Sequence, residues 1–148
     1  MLAILRTEAR GAIYETEDGQ VGLPMDNIYS SIQEAATAFK RGRDIERSLL
    51  YAPVTVPLVI NARTWKVEDY LASPEHIDYR PVGVQQRKTM RARPIFHTWA
   101  TTCEFSLVNE IMDLRDLDPI IKRAGEFVGV CERRPRYGTF LATVEVVS

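Results

Sequence analysis

Hydrophobic and polar positions alternate weakly over residues 2 to 10, and then Ala12-Ile13-Tyr14 and Val21-Gly22-Leu23 flank an Asp18-Gly19 pair. An Asp-Gly step between two strand-compatible runs is a hairpin signal. The pattern then changes period: Ile28, Ile32, Ala35, Ala36 and Phe39 fall on one helical face. This predicts a helix with Asp26 as N-cap and Gly42 as the stop. Val54 to Ile60 is short and β-branched between Pro53 and Asn61, which predicts a strand that Pro57 keeps towards an edge.

From Ile95 the odd positions Ile95, His97, Trp99, Thr101, Cys103, Phe105 and Leu107 alternate with Phe96, Thr98, Ala100, Thr102, Glu104 and Ser106, predicting one long strand. Asp118-Pro119 reads as an N-cap and first helical residue, and Ile120, Ile121, Ala124, Phe127 and Val128 carry an apolar stripe that Gly129 ends. Phe140, Ala142, Val144 and Val146 share one face of a predicted closing strand. No short repeat, low-complexity stretch or Gly/Ser-rich linker interrupts residues 1–148. The expectation is one α+β domain with an antiparallel sheet and two helices on one face.

Composition narrows the chemistry. At 148 residues, 45% hydrophobic and 26% charged, the chain is large enough for a real core. A net charge of -1 argues against a general polyanion binder, so any nucleic-acid site must be a local patch. Met1 to Arg6 lacks the features of a signal peptide, and the apolar stretch Ala52 to Ile60 is too short to span a bilayer. A cytoplasmic location without a membrane is the expectation, with Cys103 and Cys131 as free thiols.

The phosphate-loop pattern, the dinucleotide fingerprint, the nucleophile elbow, the zinc-protease helix motif and paired Cys-x-x-Cys are all missing. No enzyme, cofactor or metal is therefore expected. His76 and His97 have no ligand spacing with the two cysteines, and His97 reads as a sheet residue rather than a general base. Asp113, Asp116 and Asp118 read as the acidic start of a helix.

Two basic groups stand out. Arg87, Lys88, Arg91 and Arg93 fall within seven residues without an acid, and Arg133, Arg134, Arg136 and Tyr137 fall in a second segment. Both are read as loops. Guanidinium forks suit phosphate, Tyr137 offers a face for a base, and two such loops would border a groove for one strand. Lys40, Arg41, Arg43 and Arg47 form a weaker group diluted by Asp44 and Glu46.

The order of elements resembles the RAMP superfamily of CRISPR-associated RNA-binding proteins. The resemblance lies in Gly22 to Ile28 with the following helix, and in Pro119 to Val128 with the segment Gly129 to Gly138 and the strand from Phe140. It implies a ferredoxin-like fold and single-stranded nucleic acid, RNA or DNA, as partner. The Arg-Pro-Arg-Tyr-Gly segment after a helix is equally similar to small proteins encoded by bacterial viruses. The alternative reading is a viral interaction protein docking on a host complex of nucleic-acid defence through the same arginines. Self-association along a nucleic-acid strand is a further expectation.

Overall fold

The computed structural model describes residues 12–84, 87–96, 98–131 and 138–147, and for 78–93 the backbone alone. In chain order the strands are β1 (Gly22–Pro24), β2 (Leu49–Leu50), β3 (Thr55–Pro57), β4 (Val59–Ile60), β5 (Ile77–Val84), β6 (Arg87–Pro94), β7 (Trp99–Ala100) and β8 (Ser106–Leu107). The helices are α1 (Met25–Thr37), α2 (Gly42–Ser48), α3 (Val67–Leu71) and α4 (Leu114–Arg123), the last running into a π-helical turn, Ala124–Val128. The fold is α+β, and the described strands form four two-stranded pairs: β1 with β3, β2 with β8, β4 with β7 and β5 with β6. The chain divides into two compact units, one from Met1–Leu23 and Val54–Thr102, the other from Pro24–Pro53 and Cys103–Ser148.

In the first unit the Asp18-Gly19 turn forms where the sequence predicts it. Gly19 adopts φ +79, the amide of Thr16 donates to Gln20 O at 2.8 Å, and Glu15 bridges Val21. Position 22, the first of β1, is glycine because a Cβ there would lie 2.6 Å from Thr55 and 2.7 Å from the Val56 carbonyl. The run Val54 to Ile60 is two strands, not one: Pro57 is the last residue of β3, and Leu58 separates it from β4. Val21, Leu58, Ile60, Val67, Tyr70, Leu71 and Ile77 are buried in this unit.

The second unit is helical. Helix α1 starts at Met25, earlier than the pattern suggests, because Met25 itself is buried with Ile28, Ile32, Ala35 and Ala36. Asp26 is therefore inside the first turn, not the N-cap, and its Oδ1 accepts the Tyr51 hydroxyl at 2.5 Å. The stop is Lys40 at φ +57: the Arg41 amide donates to Ala36 O and that of Lys40 to Thr37 O, both at 3.0 Å, a Schellman ending without glycine. Gly42 instead begins α2, and Phe39, past the helix, is exposed.

Helix α4 begins at Leu114, capped by Asp113, whose Oδ1 accepts the Asp116 amide at 3.0 Å. Pro119 lies inside the helix, and Asp118 pairs with Lys122 at 2.9 Å. The C-terminal end agrees with the sequence, since Gly129 ends the π turn at φ +76. The long strand expected over 95–107 is only β7 and β8, because the chain leaves the first unit after Thr102 and the two pieces pair with different strands. No strand forms over 139–147; this segment is held by the Phe140 amide donating to Gly125 O at 2.9 Å.

Candidate nucleic-acid interface

The segment Arg87 to Arg93 is a strand, not a loop. Its antiparallel register with β5 runs unbroken from Ile77↔Pro94 to Val84↔Arg87, giving an eight-pair ribbon that is about 25 Å long at the usual rise per residue. Ile77, Tyr79 and Val82 favour extended backbone, and pairing with this strand converts the basic run into one rail of a ladder. Neither strand pairs with any other described strand.

Directly opposed residues share a face of an antiparallel ribbon, and successive residues alternate between faces. One face thus carries Asp78, Arg80, Val82 and Val84 with Arg87, Thr89, Arg91 and Arg93. The other carries Ile77, Tyr79, Pro81 and Gly83 with Lys88, Met90, Ala92 and Pro94. Four arginines and one acid occupy the first face. Arg87, Arg91 and Arg93 are brought together there, Lys88 is separated from them, and Arg80 joins them from β5.

The sequence reading missed Arg80. The signal that could have found it is the alternation of Ile77, Tyr79 and Pro81 with Asp78 and Arg80, followed beyond Gln85-Gln86 by Arg87, Thr89, Arg91 and Arg93 at every second position.

The root of the ribbon is fixed by an aromatic cluster. Ile95 N donates to the His76 carbonyl at 2.8 Å, closing the ladder, and the Tyr70 hydroxyl donates to the Ile95 carbonyl. His76 Nδ1 lies 2.6 Å from the Tyr70 carbonyl, which fixes that nitrogen as the donor. The rings of Tyr70 and His76 stack at 4.0 Å, and Trp65 meets each edge-on at 5.6 to 5.7 Å. Arg63 sits 3.9 Å over the Trp65 ring. Burial pushes the Tyr70 phenol up to about 12, so it remains a neutral donor at ordinary pH.

His76 lines a cleft with Asn61, Glu75 and Thr98, its Nε2 being 3.8 Å from Glu75 Oε1. The hydrogen bond and the ring stack account for its burial. His97 lies outside the described residues.

Arg133, Arg134, Arg136 and Tyr137 also lie outside the described residues. Their flanks are defined: the Val130 amide donates to Gly138 O at 3.1 Å, with Gly129 and Gly138 at φ +76 and +85.

Of the weaker basic group, Arg41 is engaged within the fold. It reaches Asp44 at 2.9 Å, Asp116 at 3.1 Å and the Ile111 carbonyl at 3.2 Å, joining the start of α2 to the first turn of α4. Among the described residues no group of His, Cys, Asp or Glu side chains could hold a metal ion, and no helix is long and apolar enough to cross a membrane. No protein-family model, curated protein or solved structure matches the chain.

Proposed function

We propose that this protein is a non-enzymatic nucleic-acid-binding protein that holds the phosphodiester backbone of a single strand on the arginine face of the β5–β6 ribbon. The observation that carries the reading is the register, which puts Arg80, Arg87, Arg91 and Arg93 on one face with Asp78 as the sole acid. In a chain of net charge -1, that face is the local concentration of positive charge that a polyanion requires.

Arginine suits the task. Its planar fork gives paired donors to phosphate oxygens, and its flat face stacks on unpaired bases, which a duplex does not offer. Thr89 adds a hydroxyl on the same face. The anchored root supports the reading too, because contact residues work best on an element held by a packed scaffold. Arg133, Arg134, Arg136 and Tyr137 are proposed as a second contact segment. The reading does not depend on a ferredoxin-like or RAMP-like sheet.

The test is fluorescence anisotropy with labelled single- and double-stranded DNA and RNA at low and moderate salt. Salt-sensitive binding that favours single strands is expected. Absence of binding at low salt to every form would remove the reading and turn attention to an acidic protein surface as the partner of these arginines.

A further inference from the structure

Arg80 and Arg91 are direct register partners in the ribbon. Like charges directly opposite one another destabilise a strand pair. The ribbon has no third described strand to support it, and a lone two-stranded hairpin is marginal in water. Two positions towards the root the same face has the favourable arrangement, with Asp78 opposite Arg93. A sequence selected for ribbon stability alone would carry an acid at 80 or 91 as it does at 78. Local rules are broken in this way where a site needs them broken.

We propose that the opposed Arg80 and Arg91 form an anion site for one phosphodiester group of the bound strand. Two opposed arginines put two permanent positive charges at one register position, and a phosphate there cancels the like-charge penalty of the pair. Arg93 and Arg87 follow on β6 at about 7 and 13 Å from Arg91 along the strand, so the backbone that enters the site meets further cations on either side. This site rests on the nucleic-acid reading above and gives it a specific centre.

Binding and ribbon stability are then opposed at position 80. Arg80→Glu removes a phosphate contact and at the same time sets an acid across from Arg91, the stabilising arrangement. A residue that served the ribbon structurally would show both properties falling together.

The experiment uses the full chain and a labelled single-stranded oligonucleotide of about 16 nucleotides, in DNA and RNA form. Anisotropy is read across a salt series, and hydrogen exchange is followed at the amides of 77–84 and 87–94. Relative to wild type, Arg80→Glu is expected to bind more weakly with a salt slope shallower by at least about 0.7, while ribbon protection rises about two- to fivefold. Arg80→Gln, which leaves Arg91 to meet the phosphate, should lose less slope and gain less protection. Wild type that binds alongside an Arg80→Glu variant of equal affinity and slope overturns the anion site and leaves the broader reading standing. Protection that falls in Arg80→Glu overturns it as well. Wild type that fails to bind either oligonucleotide overturns the nucleic-acid reading and this site with it.

Discussion

The imidazole of His76 stacks on the phenol of Tyr70, with ring centroids 4.0 Å apart and planes 6° from parallel. The stack is closed at one end by the Tyr70 hydroxyl, which donates to the carbonyl of Ile95 just beyond the ribbon. Tyr70→Phe keeps the stack and removes that bond. It is expected to lower stability by about 1 kcal/mol and to speed exchange at the root amides of the ribbon, measured by denaturant unfolding and hydrogen exchange.

The same phenol makes a pH prediction. Burial raises its value from 10.0 to about 12, so its contribution to stability is complete below pH 10 and is lost as the pH rises through 12. Unfolding experiments across that window should show a steeper alkaline decline for wild type than for Tyr70→Phe. Tyr51, also raised to about 12 by its hydrogen bond to Asp26, leaves a residual decline that Tyr51→Phe removes.

Lys40 ends α1 in the left-handed region at φ +57, where a side chain is disfavoured. Lys40→Gly keeps both Schellman hydrogen bonds and relieves the backbone. A gain of roughly 0.5 to 1 kcal/mol in denaturant unfolding is expected, less than the full conformational relief because glycine also frees the unfolded chain.

Asp113 caps α4, and the amide of Asp116 holds its carboxyl below the usual value of 3.8, helped by Arg115. Its contribution to stability is present above pH 3.8 and is lost as the pH falls through the lowered value. Asp113→Asn should keep the cap and flatten this acid dependence, whereas Asp113→Ala should lose helix stability at all pH values. Circular dichroism through an acid titration reads both.

Gly125 sits where Phe140 crosses the π turn, and a Cβ at this position would overlap the Phe140 carbonyl and lie 2.9 Å from its ring. Gly125→Ala is expected to cost roughly 1 to 3 kcal/mol, because the obstacle is backbone rather than a movable side-chain end. Limited proteolysis should show 139–147 released ahead of the remainder of the chain.

The apolar stripe of Ile28, Ile32, Ala35 and Ala36 makes α1 legible and that of Ile120 and Ala124 makes α4 so, whereas the short α2 and α3 carry no such stripe and go unpredicted. The ends of α1 and α4 were less legible. Lys40 does the work expected of Gly42, and Asp113 that expected of Asp118, because a cap is decided by backbone geometry that several residue types satisfy.

The alternation from Ile95 to Leu107 is real in the sequence, yet it is shared between two units whose boundary leaves no mark at Thr102-Cys103. The basic run at 87–93 was visible as charge. Its role as one side of a ribbon depends on pairing with 77–84, a relation that no single segment encodes. Hence Arg80 was missed and Lys88 was grouped with residues of the opposite face.

The most direct test of the account is the salt dependence of single-strand binding by wild type and by a variant with Arg80, Arg87, Arg91 and Arg93 all changed to Gln. Each phosphate neutralised on a single strand contributes about 0.7 to the slope of log affinity against log salt, and with Arg80 and Arg91 sharing one phosphate the four arginines meet three, so their loss should flatten it by about 2. That flattening, with the fold intact by circular dichroism, is the predicted result. An unchanged slope in the folded variant would contradict the claim that the ribbon face holds the strand.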